Sequence, residues 1–465
     1  MGATNAFDAS ALLARMARLS REELENLQLF KLRRQLVRLY AHSPYYRRRM
    51  DAAKLTPENL KSPADFRDRF PLSVKADFMA DQAEHPPFGH RLGIPREQVA
   101  LVNTTGGTSG QGQEIYGRSQ SDVHMQGYLH ALPWFLAGLR PGQIAVNCVP
   151  AGGMTTGGWG PGEGLRIIGA TAFHVGGNLS TDAVVDLMVR ICDVNFIYAS
   201  TNFLHRLTQT LLGRGTTPKD VFTTIKGIFI AAEGYPLEWA RKIEEHWGCT
   251  LHEGYGSTQC AGFGGSTPGS VAPADGSRGL MRLFEWENMI EVVNPETLAP
   301  VKSGEVGEMV VTNLSIEGSP VVRFRTGDAA RFVDYREAGA GMAWNAIESG
   351  TIGRYDDMMK ILGNNVWPSA VDTCVFAHPE VVEYIGRVFT TDDGKTEVEL
   401  RIAFTDHPTP CAEAERRRIA EALRQSIKQR TNVNMAIVEV SRAELPEFTY
   451  KARRWKDERQ QGYRL

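Results

Sequence analysis

Apolar positions recur with helical spacing through the first fifty residues. Residues 8 to 50 read as helix, with Ser20 and Glu23 forming a capping box ahead of Leu24, Leu27, Leu29 and Leu32, and the basic run Tyr46 to Arg49 is expected to end it. From about residue 99 to 265 the pattern changes. Short apolar runs (Ile144 to Val149, Phe196 to Ala199, Gly227 to Ala232) alternate with stretches of helical period (Thr181 to Arg190, Leu237 to His246), which predicts a parallel sheet flanked by helices. Residues 279 to 335 give closely spaced strand-like runs, Met289 to Val293, Gly307 to Asn313 and Ala329 to Val333, broken by Gly, Pro and Asn. They predict a small β-rich subdomain. After Gly353 come strand, helix, strand and helix patterns, including the strand Glu397 to Phe404 and the helix Cys411 to Gln429, enough for a compact terminal α+β domain.

A chain of 465 residues is too long for one ordinary core. The expected division of this α/β protein is a large unit over residues 1–352 and a small one over 353–465. The large unit comprises a helical part (1–98), an α/β core (99–278) and the β-rich segment (279–352). With 42% hydrophobic and 23% charged residues, and 52 Lys+Arg against 54 Asp+Glu, neither disorder nor a polyanion-binding surface is indicated, so nucleic acid is not an expected partner. The six cysteines show no CxxC pair and no spacing that frames disulfides or a zinc site. A reducing cytoplasm fits them. No apolar signal core and no stretch of membrane-spanning length is present, so the chain is expected to be soluble, without a membrane partner.

The strongest chemical signal is Asn103-Thr104-Thr105-Gly106-Gly107-Thr108-Ser109-Gly110-Gln111-Gly112, following the apolar Val99 to Val102. Glycines let backbone approach an anion closely, and Thr and Ser hydroxyls with successive N–H groups donate to phosphate oxygens. A phosphate cradle is one reading and a flexible Gly/Ser surface loop the other, since no Gly-Lys-Ser/Thr follows as in a Walker motif. Four further segments bear on the choice: Tyr255-Gly256-Ser257-Thr258, Phe324-Arg325-Thr326-Gly327-Asp328, Gly353-Arg354-Tyr355-Asp356-Asp357 and Gly363-Asn364-Asn365-Val366-Trp367-Pro368. In order and separation these resemble the adenylate-forming superfamily of acyl-CoA synthetases, adenylation domains and luciferases. Ser20 to Gln28, the Ser-Pro-Tyr-Tyr within Tyr40 to Tyr46, Phe70-Pro71 before Lys75, Thr156-Gly157-Gly158 and Gly363 to Ser369 narrow the resemblance to the phenylacetate-CoA ligase-like branch, from about residue 20 to 455.

The resemblance implies a large N-terminal domain with a mobile C-terminal lid and two half-reactions. A small, often aromatic, carboxylic acid attacks the α-phosphorus of ATP, releasing pyrophosphate, and the acyl-AMP passes to a thiol, usually that of coenzyme A. Thr105, Gly106, Gly107, Thr108, Ser109 and Gly110 would then line the phosphates, and Ala232, Glu233 and Gly234 the nucleotide edge. Tyr255 would stack on adenine, Gly256, Ser257 and Thr258 would follow it along the nucleotide, and Asp328 would accept from the ribose hydroxyls. Arg354 would reach ribose or phosphate, and Asp356 would be the hinge of lid rotation. Lys451, within Leu445-Pro446-Glu447-Phe448-Thr449-Tyr450-Lys451, would enter the site with Thr258 as a catalytic group, offering charge to the carboxylate and α-phosphate. The bland alternatives are a core tyrosine for Tyr255, turn carboxylates for Asp328 and Asp356, and one charge in a basic tail for Lys451. The acyl pocket is expected between the Thr155 to Gly164 loop, the Tyr198 to Phe203 strand end and Gly254, with Trp159, Tyr198 and Phe203 making it apolar and flat. Each of those aromatics could equally be core. A homodimer is what relatives suggest.

Three departures from the family pattern stand out. Gln259 stands where a Glu usually helps hold Mg²⁺, and an amide oxygen ligates magnesium without bringing charge. Gln111-Gly112 replaces a common Lys-Pro, and Tyr450 replaces the glycine before the lysine. These departures suit a specialised adenylating enzyme whose acceptor is a carrier-protein thiol or an amine, or one that activates nitrite for aryl-amine diazotisation. They also suit a catalytically silent nucleotide-binding regulator.

Overall fold

The structure is a computed structural model that describes residues 9–105, 113–152, 154–177, 179–231, 234–355, 359–362, 364–391, 395–406, 410–446 and 454–459. The single helix expected over residues 8 to 50 is three: Ser10–Arg18, Arg21–His42 and Pro44–Ala52. Each break is a serine. Ser20 leaves the helical region to accept the Glu23 N–H, completing the predicted capping box. Ser43 does the same for Tyr46, and Pro44, which disfavours helical geometry in the residue before it, makes that second start a sharp one. The basic run Tyr46 to Arg49 therefore sits inside the third helix instead of ending the first, and the helix stops at Ala52. Ser62, Ser119, Ser180 and Ser200 cap later helices in the same way.

A 12-stranded sheet organises most of the chain. The strands Thr171–His174, Ile144–Asn147, Val194–Tyr198, Gly227–Ala231 and Thr250–Ser257 are neighbours in that order and all parallel. Val194–Tyr198 and Gly227–Ala231 are buried almost throughout, as strands covered on both faces must be. From Thr250–Ser257 onward the pairing turns antiparallel, through Gly262–Ser266, Leu280–Leu283, Ala346–Glu348, Phe324–Val333, Val306–Asn313 and Asn288–Val293. The β-rich segment is thus hydrogen-bonded onto the edge of the parallel strands. The N-terminal helices share its core: Leu32, Leu36, Tyr46 and Phe78 lie in one apolar cluster with Tyr255, Val311 and Phe324, and the Phe78 ring stacks on Phe324 at 5.0 Å.

The stretch Thr155 to Gly164, expected as a loop, forms the helix Thr156–Ile168 capped by Gly169 at φ 86°. The reason is close packing against the helix Gln120–Leu136. A Cβ on Gly160 would lie 2.2 Å from the His130 ring, and one on Gly164 2.7 Å from the His130 carbonyl carbon. Glycine costs helix propensity of roughly 1 kcal/mol each, and here it allows two helices to approach within backbone contact.

A second, 4-stranded sheet runs in the order Ala436–Glu439, Thr396–Phe404, Val381–Thr390, Trp455–Asp457. The helices Pro368–Val375 and Glu413–Thr431 pack on it around Val371, Tyr384, Leu400, Leu423 and Ile427. The latter helix starts at Glu413, two residues later than expected, and runs to Thr431, where Asn432 closes it at φ 58°. Among the described residues no helix is long and apolar enough to cross a membrane. All six cysteines are free.

Candidate active site

The strand Thr250–Ser257 carries Tyr255, Gly256 and Ser257 out of the parallel core, and Phe324–Val333 carries Asp328 beside it. An irregularity in pairing between Glu308 and Val310 coincides with Gly327 at φ 73°, a left-handed backbone that favours glycine. The buried Glu308 carboxylate secures this bend, accepting from Arg325 Nη2 at 2.6 Å and from the Gly327 N–H at 3.2 Å. On the other side the short strand Gly353–Arg354 places Arg354 in register with Asp328. Arg354 Nη1 donates to Asp328 Oδ1 at 3.1 Å, and the Tyr255 hydroxyl donates to Asp328 Oδ2 at 3.4 Å. Three motifs up to a hundred residues apart therefore meet at one carboxylate. Burial first, and then the Asp328 charge, holds the Tyr255 phenol well above its ordinary pKa, so it stays a donor. The ring of Tyr255, expected to stack on adenine, is 1% exposed, so its neighbours must shift before a base can lie on its face.

Glu253 underlies this cluster. Fully buried, it accepts from the Tyr235 hydroxyl and from the Gly350 N–H, both at 2.8 Å, tying the segment after Gly234 and the approach to Arg354 to the strand that bears Tyr255. Desolvation pushes its carboxyl up to about 7.

A second convergence surrounds Thr258. Its hydroxyl lies 3.5 Å from the Thr104 carbonyl and 3.4 Å from the Thr156 hydroxyl, and its carbonyl accepts from Arg118 Nη2 at 2.6 Å. Arg118 is wholly buried and also donates to the Ser319 carbonyl at 3.1 Å. The entry to the glycine-rich segment, the start of the Gly-rich helix and the turn after Tyr255-Gly256-Ser257 thus share one floor. Thr105 is there too, its hydroxyl accepting from the Glu114 N–H at 3.1 Å. The next residue of the turn, Gln259, donates from Nε2 to Glu114 Oε2 at 2.8 Å. Gly106, Gly107, Thr108, Ser109, Gly110, Ala232, Glu233, Asp356 and Lys451 lie outside the described residues.

The three aromatics expected to make the acyl pocket are not brought together. Tyr198 packs edge-on to Trp134 at 5.9 Å and donates to the Gly157 carbonyl at 3.1 Å, on one face of the sheet's core. Phe203 sits a turn into the helix Thr201–Gly213, in the apolar cluster of Val185, Leu207 and Trp239. Ser200 starts that helix, so the strand ends at Tyr198 and cannot carry Phe203 to the same place. Trp159 is half-buried on the Gly-rich helix. Gly254 does meet an aromatic wall: a Cβ there would lie 2.3 Å from Phe263 and 2.8 Å from Phe229. Beside Phe263, at 4.7 Å and nearly perpendicular, stands His130, whose Nδ1 is 2.8 Å from the Gln126 carbonyl. Burial lowers its pKa to about 4, so the ring is neutral and donates through Nδ1. His130 and Phe263 escaped the sequence reading; the signal available was a lone histidine within the apolar run Leu129 to Phe135.

The residues expected to hold a nucleotide thus meet in the large unit, while the C-terminal unit is built on its own 4-stranded sheet. The sequence pattern of AMP-binding enzymes matches residues 162–316, and that of the AMP-binding enzyme C-terminal domain matches residues 363–459. Phenylacetate-coenzyme A ligase of Thermus thermophilus is 30% identical over 389 residues, covering 83% of each chain, and that of Escherichia coli is 27% identical over 93% of this chain and 94% of its own. In fold, 2-hydroxyisobutyryl-CoA ligase in its postadenylation state superposes with a TM-score of 0.84 at 22% identity, covering 96% of this chain and 92% of that one. The chain belongs to the adenylate-forming, AMP-binding enzyme family, in its phenylacetate-coenzyme A ligase-like branch. It is an ATP-dependent adenylate-forming ligase, producing AMP and pyrophosphate.

Proposed function

We propose that the chain activates a small aromatic carboxylic acid as its acyl-AMP and transfers the acyl group to the thiol of coenzyme A. The observation that carries this reading is the meeting of Tyr255 and Arg354 on Asp328, beside the Thr104, Thr156 and Thr258 floor. A carboxylate already fixed by two donors is preorganised to accept from vicinal ribose hydroxyls, with little reorganisation when the nucleotide arrives. Arg354 balances the charge of Asp328 and would turn toward a phosphate of the bound nucleotide. Thr258, anchored through its carbonyl by Arg118, is positioned to present its hydroxyl to the α-phosphate oxygens, and Lys451 would add a point charge as negative charge moves onto pyrophosphate. A magnesium ion accompanying the triphosphate would screen its charge, and the amide oxygen of Gln259 is a hard donor suited to it.

Gly254 is closely packed by Phe229 and Phe263, with the neutral His130 beside them, so a flat acid would lie against an apolar, uncharged surface once these rings give way. The named activities of the relatives, ligation of phenylacetate to coenzyme A, support the acid class and the acceptor. The superposition on 2-hydroxyisobutyryl-CoA ligase falls from a TM-score of 0.84 in the postadenylation state to 0.68 in the thioesterification state. That difference supports reading the present arrangement as the one that serves the first half-reaction. The test is acid-dependent exchange of pyrophosphate into ATP across a panel of aryl and alkyl acids, followed by thioester formation with and without coenzyme A. Exchange driven by an aryl acid, with thioester appearing only when coenzyme A is added, is the expected result. Exchange driven by no acid from folded, ATP-binding protein overturns it.

A further inference from the structure

The residue after Thr258 is glutamine where the resemblance leads one to expect a metal-binding glutamate, and its side chain is occupied with Glu114. Gln259 Nε2 donates to Glu114 Oε2 at 2.8 Å, and the Tyr116 hydroxyl donates to Glu114 Oε1 at 2.8 Å. Glu114 is 1% exposed. A carboxylate so buried is expected to be paired with a cation, because removing an unpaired charge from water costs far more than neutral donors return. Among the described residues its side-chain partners are Tyr116 and Gln259, both neutral. The buried guanidiniums nearby, Arg91 and Arg118, lie over the Tyr116 ring at 5.2 Å and 5.3 Å and form no ion pair with Glu114.

The position of this carboxylate is set by backbone as well as side chain. Glu114 and Thr105 exchange two hydrogen bonds: the Glu114 N–H to the Thr105 hydroxyl, and the Thr105 N–H to the Glu114 carbonyl, both at 3.1 Å. Thr105 ends the strand pair Leu101–Thr104 and Ile115–Arg118 at the mouth of the glycine-rich segment, while Gln259 belongs to the turn after Tyr255-Gly256-Ser257-Thr258. The charge is thus delivered from the phosphate side of the site to the spot a residue at 259 would serve. An ionised carboxylate only accepts, so Gln259 must face it with its amide N–H, which turns the amide oxygen the other way. Gln259 Oε1 has no partner among the described residues.

We propose that Glu114 supplies the negative charge that binds the divalent cation accompanying ATP, with Gln259 orienting that carboxylate and contributing its own amide oxygen. One carboxylate, one amide and the phosphates of the nucleotide make an all-oxygen set suited to magnesium, which keeps several waters and takes few protein ligands. The charge absent from position 259 has moved to position 114 across a hydrogen bond. The proposal rests on the reading of this site as an ATP site, and the test separates the two.

The probe is Mn²⁺, titrated by electron paramagnetic resonance into the full chain saturated with α,β-methylene-ATP, with nucleotide affinity measured calorimetrically in the presence and absence of the metal. Glu114→Gln keeps the size and hydrogen bonds of the side chain and should weaken Mn²⁺ in the ternary complex about 10–100-fold. Metal-free nucleotide should bind as well as to the parent or more tightly, because a negative charge has been removed from beside the triphosphate. A merely structural Glu114 would weaken both measurements together or neither, and either result overturns the proposal. The reciprocal exchange Glu114→Gln with Gln259→Glu should restore Mn²⁺ affinity; should Glu114→Gln alone fail to fold, this exchange and Glu114→Ala decide, and Mn²⁺ affinity of a folded Glu114→Ala equal to the parent's overturns the assignment. Parent protein that binds no nucleotide in any condition sinks the ATP reading itself.

Discussion

The two sides of this molecule are held by different kinds of interaction. Around Asp328 the site is written into one continuous sheet: Arg354 is its cross-strand partner, Glu308 clamps the bend before it, and Tyr255 comes from a strand of the same sheet. The C-terminal unit has its own core and its own 4-stranded sheet, and it touches the large unit through side chains. Arg454 is central to that contact. It donates to Glu383 at 2.6 Å within its own unit and to Asn202 at 2.8 Å at the start of the helix Thr201–Gly213, with its guanidinium 4.9 Å over Phe376. Although burial alone would lower its pKa, Asp372 and Glu383 more than offset that and raise it. The contrast is one of function. On the function proposed above, the nucleotide would find geometry fixed before it arrives, and a unit that moves between half-reactions would need a core complete without its neighbour and a contact that can be exchanged.

The largest expected effect breaks the C-terminal side. Arg454→Ala leaves Glu383 and the neighbouring Asp372 without their cation in a buried setting, which should destabilise the C-terminal unit by about 3–5 kcal/mol. Differential scanning calorimetry should show a separate, lower transition for that unit; a single unshifted transition would contradict the picture of two independent cores. Next, Asp328→Asn removes the charge that Arg354 and Tyr255 converge on. Loss of charged hydrogen bonds worth about 1.5–3 kcal/mol corresponds to a rise of roughly 10–100-fold in the apparent KM for ATP. Pyrophosphate exchange measures it, and the melting temperature of the C-terminal unit should stay unchanged.

A smaller effect concerns pH. The Glu253 carboxyl is raised in the folded protein to about 7 from an ordinary value near 4.5, so its contribution to stability is fully present below the lower value and is lost as pH rises through the upper one. Glu253→Gln should flatten the dependence of melting temperature on pH between those limits, and retention of the parent's slope would show that other groups set it. The smallest is Asn202→Ala, which removes one charge-assisted bond across the units at a cost of about 1–2 kcal/mol or less. It should leave both cores intact while shifting the ratio of the adenylation rate to the thioester rate severalfold, a split that stopped-flow measurement of the two half-reactions resolves.

Much of this architecture could be read directly from the chain. The runs around Ile144, Phe196 and Gly227 are apolar because parallel strands are covered on both faces, and Ser20 with Glu23 announces a helix start wherever the chain goes afterwards. The break at Ser43 was equally local, since Pro44 excludes the preceding residue from the helix, but the apolar period across it concealed it. The Gly-rich stretch after Thr155 misled for the opposite reason. Its glycines record the approach of the Gln120–Leu136 helix, and nothing in their own spacing says whether the space beside them holds water, a ligand or His130.

The sequence by itself determined the chemistry available: Asp328 after an Arg-Thr-Gly bend, Arg354, Tyr255 and Thr258 in an order that names the family, and glutamine in place of glutamate at 259. Tertiary structure alone decided which of these groups meet. Tyr198 and Phe203, five residues apart, fall into different cores because a helix begins between them, while Glu114 and Gln259, far apart in the chain, share a hydrogen bond because two turns close on the same floor. Side-chain pattern is a local quantity, set by the period of a helix or a strand; proximity depends on how strands are ordered within a sheet, and no local pattern carries that order.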